Sequence, residues 1–245
     1  MPAPHNNTAV IELNQLRVAC KDCSLFQLCL PHGISEADLA LLDKIIDRRR
    51  PLARGKHLFE VGGPFRSIYV VRSGSVKTFA PTPDGEEQVT GFHLPGELVG
   101  LDAISTGTHP CSAVALETAS FCEIPFDQLE DLSEEARGLG RQLLRILSRE
   151  IHDDHELLKL MGKHSAEARL AALLVSFMSR LERRGLSGRD FHLSMSRHDI
   201  SNYLGLAVET VSRVFSRFQQ DGLLTVDRRH VIINDVERLK AVAGP

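Results

Sequence analysis

Three cysteines stand close together near the start of the chain, in the stretch CKDCSLFQLC. They are Cys20, Cys23 and Cys29, which gives the spacing C-x2-C-x5-C. Cysteine thiolates are the ligands that structural zinc sites and iron–sulfur clusters have in common. The whole chain has five cysteines, an odd number that argues against a disulfide framework. The stretch therefore predicts a metal-binding site, and its spacing leaves zinc and an iron–sulfur cluster both open.

The composition is that of a globular protein. Of the 245 residues, 42% are hydrophobic and 25% are charged, and the length favours two domains. No apolar run approaches the ~18 residues that a membrane-spanning helix needs. The start MPAPHNNTAVIELNQL lacks the basic and apolar regions of a secretory signal. We expect a cytoplasmic protein with no membrane partner, in which thiols stay reduced.

Charge is distributed unevenly along the chain. Residues 164–245 carry 12 Lys and Arg against 9 Asp and Glu, whereas residues 1–163 carry 17 against 23. A basic C-terminal part indicates nucleic acid as a partner. The eleven histidines show no metal-site grouping, and no constellation of catalytic side chains stands out. We expect no enzyme, and an iron–sulfur enzyme or electron carrier is the alternative.

The elements that must position the cysteines change in character along the chain. The stretch ISEADLALLDKII predicts a short helix that Ser35 caps, with Asp38 three residues further on. From Pro51 to Pro125, short β segments alternate with turns that are rich in glycine. The segments are SIYVV, SVKTF, QVTGFHL, AVALET and SFCEI. Such a series predicts a small sandwich or jelly-roll barrel.

A long helix without proline is predicted over residues 134–162. Its apolar side chains recur at heptad spacing, which is typical of a helix that packs against a partner helix, most simply that of a second subunit. The members of this stripe are Leu144, Leu147, Ile151, Leu158 and Met161. Asp154 takes the skipped position, where two facing carboxylates would repel each other and weaken a parallel dimer.

The stretch SRHDISNYLGLAVETVSRVFSRFQQDGLL predicts a helix-turn-helix. Ser196 and Asp199 can cap the first helix reciprocally, and Gly205 suits the tight turn. The predicted buried face of the second helix holds Val211, Val214, Phe215 and Phe218. Its outward face holds Glu209, Thr210, Ser212, Arg213 and Arg217. Polar residues at the start of such a helix read base edges in the major groove, so DNA binding is predicted.

Two stretches resemble a known family. DISNYLGLAVETVSRVFSRFQQDGLL resembles the recognition region of the CRP/FNR superfamily of bacterial transcription regulators, and LPGELVGLDAI resembles a turn of its β-roll. The resemblance implies an α+β fold with an N-terminal cyclic-nucleotide-binding-type β-roll (a jelly roll), a long dimerisation helix and a C-terminal winged helix-turn-helix. The implied domains are a cysteine-rich cluster-binding segment at 1–32, the sensory β-roll at 33–133, the dimerisation helix at 134–163 and the DNA-binding domain at 164–245. Members bind palindromic double-stranded DNA as homodimers and contact RNA polymerase.

The cysteine spacing is similar to that of the oxygen-sensing FNR/Anr branch. That resemblance implies a [4Fe–4S] cluster held by Cys20, Cys23, Cys29 and Cys122, with Cys111 outside the ligand set. Apolar residues beside the ligands are expected to limit access of solvent and oxygen. They are Leu25, Phe26, Leu28 and Leu30. No arginine lies between Leu98 and Cys122, so a cyclic nucleotide would lack a charged anchor for its phosphate.

The implied function is oxygen-responsive, global transcription regulation of anaerobic metabolism. The intact cluster would promote dimerisation, binding to TTGAT-N4-ATCAA-like sites and activation through RNA polymerase. The family's base-reading residues match Glu209, Ser212 and Arg213, and further DNA contacts are expected from Val208, Thr210 and Arg217. An acidic loop is the candidate polymerase contact, with residues Asp84, Gly85, Glu86 and Glu87. The alternatives are an iron–sulfur or zinc protein with another signal, and a haem or small-ligand sensor on the same scaffold.

Overall fold

Two antiparallel sheets form most of the N-terminal half of the molecule. The structure, a computed structural model, describes residues 19–48, 50–163 and 165–244. The first sheet has the strand order β1-β6-β3-β4 and the second has the order β5-β2-β7. The strands are β1 His57–Phe59, β2 Ser67–Ser73, β3 Val76–Pro81, β4 Glu87–His93, β5 Leu98–Val99, β6 Ser112–Ala115 and β7 Ser120–Pro125. The first 18 residues of the predicted N-terminal segment, which include the start that was compared with a secretory signal, lie outside the described residues.

The turn between β2 and β3 requires a residue without a side chain. Gly74 has a φ of 74°, and a Cβ atom there would lie 2.5 Å from the carbonyl oxygen of Thr118. On β2, Ile68 and Val70 face Ile124 and Cys122 of β7 in register, which places Cys122 in the middle of a paired strand. The predicted jelly roll is therefore present, and its second sheet carries one of the cysteines.

Helices flank the two sheets. Helix α1 spans Glu36–Ile45 and begins, as predicted, at Ser35, whose side chain accepts a hydrogen bond from the backbone N–H of Asp38. Helix α2 spans Phe126–Glu135 and helix α3 spans Arg137–Lys163. The long helix predicted over residues 134–162 is present as α3, and it begins three residues later, at Arg137. Ala136, buried in the core with φ −98° and ψ 79°, breaks the helix, so that α2 packs beside β2 and β7 while α3 runs on separately.

The C-terminal half is a winged helix-turn-helix. Its elements are α4 Ala166–Glu182, β8 Asp190–His192, α5 Arg197–Leu204, α6 Val208–Gln220, β9 Leu224–Asp227, β10 His230–Ile233 and α7 Val236–Ala243. Strands β8, β10 and β9 form an antiparallel sheet in that order. Ser196 and Asp199 make the predicted reciprocal cap of α5, and Gly205 ends that helix in the left-handed conformation with φ 60°. The α+β fold predicted from the sequence is thus confirmed.

The two halves share a hydrophobic core. The ring of Phe92 on β4 lies 6.2 Å from that of Phe177 on α4 and 5.0 Å from that of Tyr203 on α5. Polar contacts reinforce this packing, since Lys77 Nζ lies 2.7 Å from Asp199 Oδ1. The DNA-binding half is therefore seated firmly on the β-roll. Within the described ranges, the structure contains no helix with the length and apolar character needed to cross a bilayer.

Candidate functional site

Four cysteines line one cavity at the base of the β-roll. Cys20, Cys23 and Cys29 come from the loop that precedes α1, and Cys122 comes from β7. This cysteine cavity is otherwise walled mainly by apolar side chains, among them Leu25, Phe26, Leu30, Leu42, Ile46, Val70 and Ile124. All five cysteines of the chain are free thiols. The fold therefore gathers a sulfur donor set from two distant parts of the sequence.

Short turns hold the cysteine loop in place. Residues Cys20–Asp22 form a single 3-10 turn, and the backbone N–H of Cys29 donates to the carbonyl of Leu25 at 3.1 Å. Leu28 is not among the residues that line the cavity. It packs against the β-roll, where a Cβ on Gly96 would lie 3.1 Å from the Cβ of Leu28. Of the four apolar residues expected to shield the ligands, three line the cavity and Leu28 fastens the loop to the roll.

Burial favours the neutral thiol form of Cys20, Cys29 and Cys122 by raising their pKa values. Together with the nearby carboxylate of Asp43, burial raises the pKa of Cys20 to about 12. Burial likewise raises the pKa of Cys29 and that of Cys122. The four side chains lie close enough to influence one another's ionisation, because a thiolate at one position disfavours a thiolate at the next. Binding of a metal group must therefore displace protons and supply positive charge that stabilises the thiolates.

Three charged residues at this cavity were not predicted from the sequence. One of them is Arg72 on β2, which lines the cavity and lies near enough to Cys122 to favour its ionised form. Arg48 follows α1 and lines the cavity, with its Nη2 atom 3.7 Å from the Sγ of Cys20. The Asp43 carboxylate accepts hydrogen bonds from Arg48 at 2.5 Å and from the backbone N–H of Cys20 at 3.1 Å. In the sequence, Arg48 belongs to a run of basic residues that resembles an ordinary solvated surface, so no local signal marked it.

The second functional surface is the start of α6. Glu209, Ser212 and Arg213, which we call the reading face, are all exposed to solvent. On the opposite side of the helix, Val211 and Phe215 are buried, as predicted. This arrangement leaves charged and hydroxyl groups free to meet base edges in a major groove.

The other predicted DNA contacts on α6 differ in how free they are. Val208 and Thr210 are half-buried, and the Thr210 hydroxyl accepts a hydrogen bond from Arg213 at 3.2 Å. Arg217 is paired at 2.9 Å with Glu167 at the start of α4. The hairpin of β9 and β10, which forms the wing, carries Arg228 and Arg229 in its turn. These two basic residues were not predicted from the sequence.

Comparison with known proteins agrees with both halves of the structure. A family model of the cyclic nucleotide-binding domain matches residues 49–136, and one of the Crp-like helix-turn-helix domain matches residues 168–242. The transcriptional activator protein Anr of Pseudomonas aeruginosa is 54% identical over 225 residues, which cover 92% of each chain. The chain belongs to the CRP/FNR family of transcription regulators.

Two further relatives support this assignment to the CRP/FNR family. The fumarate and nitrate reduction regulatory protein of Escherichia coli K12 is 46% identical over 227 residues, which cover 93% of this chain and 91% of the relative. Among solved structures, FixK2 from Bradyrhizobium japonicum has a TM-score of 0.75 at 27% identity and covers 82% of this chain and 98% of its own. The similarity therefore extends through both the β-roll and the DNA-binding domain.

The LPGEL turn of the β-roll is paired with the DNA-binding half. Glu97 of that turn forms ion pairs with Arg180 and Arg184 of the α4 region, the latter at 2.6 Å. Burial opposes ionisation of this carboxyl, but the two guanidinium groups outweigh it and lower the pKa of Glu97 to about 2. The Glu97 carboxylate thus links the β-roll to the DNA-binding half through Arg180 and Arg184.

Cys111 lies apart from the cysteine cavity. Its buried thiol donates to Asp102 at 3.2 Å, and burial raises its pKa to about 12. A neutral, buried thiol of this kind is chemically inert. Cys111 is therefore a natural control for experiments on the four cavity cysteines.

Helix α3 exposes an apolar stripe. Leu144, Ile151 and Leu158, at seven-residue intervals, are 67%, 56% and 68% exposed. Leu147 and Met161 are half-buried, and Met161 packs beside Gly205 of the DNA-binding half, where a Cβ would lie 2.8 Å from the Met161 Cε. Asp154 is exposed on the same helix. The predicted heptad stripe is therefore free for a partner at three of its positions.

The candidate polymerase loop is a hairpin tip between β3 and β4. Asp84, Gly85 and Glu86 are exposed, and Glu87 begins β4. The carbonyl oxygen of Glu87 accepts a hydrogen bond from the Asn202 side chain at 2.6 Å. One end of the loop is therefore fastened to α5 while its acidic tip remains open, and its role as a polymerase contact stays a prediction.

Proposed function

We propose that this chain is an oxygen-responsive regulator of anaerobic metabolism, whose cysteine cavity holds a [4Fe–4S] cluster through Cys20, Cys23, Cys29 and Cys122. The observation that carries the proposal is the meeting of these four thiols in one cavity, although Cys122 lies far along the chain from the others. Relatives named for anaerobic regulation, at 46% and 54% identity, support the same signal.

The donor set fits such a cluster. Four cysteine thiolates are its usual ligands, and the apolar walls keep bulk water away. A structural zinc ion needs four ligands that converge on one point, with Zn–S distances of about 2.3 Å. Within the described residues, no three Cys, His, Asp or Glu side chains converge in that manner. Similarity to relatives named Anr and fumarate and nitrate reduction regulatory protein is what favours the cluster over zinc.

When bound, the cluster supplies a centre that dioxygen oxidises and dismantles. The residues of the chain would transmit its presence through packing. Cys20 and Leu30 belong to the same hydrophobic core as Leu139 and Ile146 of α3. Ile34, just after the cysteine loop, also contacts α3, because a Cβ on Gly138 would lie 3.7 Å from its Cα. Anchoring of the loop therefore supports the base of the helix that would form the dimer.

Pairing of two α3 helices would bury the exposed Leu144, Ile151 and Leu158 side chains, while Asp154 would oppose the pairing. To shift a population from one per cent to 99 per cent dimer-competent requires about 5.5 kcal/mol of differential stability. An interface that combines a short apolar stripe with two facing Asp154 carboxylates is weak. Loss of the anchored cysteine loop is therefore enough to shift the equilibrium from dimer to monomer. A dimer places two reading faces on an inverted repeat, whereas a monomer reads only one half-site.

Anaerobic purification tests the proposal directly. We expect iron and acid-labile sulfide in the protein, a broad visible absorption that bleaches in air, dimers in sedimentation and protection of a TTGAT-N4-ATCAA site. All of these should be lost together on exposure to oxygen. A sharp Soret band would instead indicate haem, zinc without iron would indicate the alternative metal, and iron-free protein that still forms dimers and protects DNA would refute the proposal.

Asp154 offers a test of the coupling step. In Asp154→Ala, removal of the repelling carboxylate should give a dimer that persists in air and still protects the DNA site after the cluster is lost. Sedimentation and footprinting before and after exposure to air would show this. If dimers of the variant dissociate in air as fast as wild type, carboxylate repulsion is not what oxygen exploits.

A further inference from the structure

A basic side chain points into the cysteine cavity. Arg48 lies after the end of α1, its side chain is only 11% exposed, and its Nη2 atom is 3.7 Å from the Sγ of Cys20. Exposed ion pairs contribute little and are readily rearranged, but a guanidinium enclosed by apolar neighbours must keep its partners. Its position against a sulfur atom is therefore a built feature of the cavity wall.

Asp43 holds this guanidinium in place. One carboxylate oxygen of Asp43 lies 2.5 Å from Arg48 Nη2 and 3.1 Å from the backbone nitrogen of Cys20. Asp43 sits on α1, which is anchored in the core by the buried Leu39 and Leu42. One carboxylate thus ties the first cysteine to a rigid helix and fixes a cation beside its sulfur. Both contacts are present in the chain itself, before any metal group binds.

We propose that Arg48, oriented by Asp43, is a positioning residue of the cluster-binding site that fixes Cys20 and offsets the negative charge of the thiolate ligands. The inference rests on the proposed function. Four thiolates outweigh the positive charge of a [4Fe–4S] core, so the bound group is an anion within largely apolar walls. An anion in such surroundings needs a compensating partner, and residues behind the ligands tune both retention and potential of a metal group.

The charge on Arg48 sets the direction of the effect. A cation beside a ligand sulfur stabilises the more electron-rich state of the cluster, and so makes removal of an electron by dioxygen less favourable. In that step one electron would pass from a bound cluster to dioxygen, which would become superoxide. The Arg48–Asp43 pair would therefore slow the response to oxygen, whereas the four cysteines determine whether a response is possible.

Four variants test this role. Arg48→Gln removes the charge, Arg48→Lys keeps it without the planar fork, and Asp43→Asn keeps an acceptor for the Cys20 N–H while it weakens the hold on Arg48. Arg54→Gln is the matched control, because Arg54 is exposed and outside the cavity lining. Each protein is reconstituted anaerobically with ferrous iron and sulfide, and its iron content, midpoint potential and iron loss in air are measured. Thermal unfolding of the metal-free forms reports on folding.

We expect Arg48→Gln to have a lower midpoint potential and to lose iron in air about 10- to 100-fold faster than wild type. Arg48→Lys should restore the potential, Asp43→Asn should be intermediate, and Arg54→Gln should match wild type. If Arg48→Gln retains no iron, recovery of iron binding in Arg48→Lys still supports the role of charge. A wild-type potential and lifetime in Arg48→Gln, or equal defects in the Gln and Lys variants, would overturn the inference while the proposed cluster stands. Wild-type protein that takes up no iron would overturn both.

Discussion

The cysteine cavity takes its side chains from a loop, from the end of α1 and from strands β2 and β7, whereas the reading face occupies less than two turns of α6. The cavity is largely apolar, and burial raises the pKa values of Cys20, Cys29 and Cys122. The reading face is exposed on a helix whose other side is already packed. One region therefore depends on its ligand for its final state, while the other is complete in the folded chain.

This difference suggests how a signal can pass between the two regions. The helix-turn-helix has a capped first helix, and the Lys77–Asp199 ion pair joins it to the β-roll. Its own contacts therefore account for its shape. A change at the cavity is better placed to alter how two chains pair than to reshape α6. We therefore expect the cavity to control dimerisation through the exposed apolar stripe of α3.

The largest expected effect separates the cavity from the rest of the β-roll. Cys122→Ser removes the ligand that β7 provides, so the anaerobically prepared variant should lose its cluster and, with it, dimerisation and DNA protection. Iron and sulfide analysis, sedimentation and footprinting would measure this. Cys111→Ser is the matched control, because Cys111 is buried beside Asp102 away from the cavity, and it should retain wild-type iron. Equal iron loss in the two variants would contradict the assignment of the ligands.

A smaller effect is expected within the reading face. Arg213→Ala should weaken binding by about 1–3 kcal/mol and relax the preference at one guanine, because Arg can bond O6 and N7 of that base. Arg217→Ala should cost less and leave the preference unchanged, since Glu167 and Asp221 already engage Arg217. Titration of wild-type and base-substituted DNA sites with anaerobically prepared protein would distinguish the two variants. Unchanged specificity in Arg213→Ala would show that another residue reads the base.

A further effect is on stability and not on binding; it concerns the junction of β4 with the DNA-binding half and depends on pH. Burial lowers the pKa of His93 to about 4 in the folded chain, against about 6.5 in the unfolded chain. As pH falls from 6.5 towards 4, His93 becomes protonated in the unfolded chain but stays neutral in the folded chain. The free energy of unfolding should therefore fall by about 1–3 kcal/mol across that range. Urea unfolding of the metal-free protein at several pH values would measure the loss.

The His93→Asn variant isolates this contribution. Its unfolding free energy should fall less steeply than that of wild type below pH 6.5, whereas His32→Asn, at an exposed position, should follow the wild-type curve. Glu150 affects stability in the opposite direction, because burial raises its pKa to about 7 and its protonation therefore favours the folded chain as pH falls. All three proteins contain Glu150, so its contribution cancels when their unfolding free energies are subtracted. Parallel curves for wild type and His93→Asn would show that His93 is not held neutral.

Much of the DNA-binding half could be read from the sequence because its signals are local. The Ser196–Asp199 cap, the turn at Gly205 and the 3.6-residue period of α6 each depend on residues within a few positions of one another. The exposed members of the α3 stripe were visible for the same reason. The break at Ala136 was not predicted, although Gly138 and Gly140 lie just after it.

Which distant side chains meet depends on the packing of the folded chain. Local spacing was enough to mark three thiols near the start as a metal-binding pattern, and resemblance alone pointed to Cys122 as the fourth. Packing of the loop against β7 brings the four together, and Asp43 on α1 holds Arg48 beside Cys20. Separately, contact between the LPGEL turn and the α4 region pairs Glu97 with Arg180 and Arg184. Such pairings depend on how separate elements pack in space, and no period or spacing along a chain records that geometry.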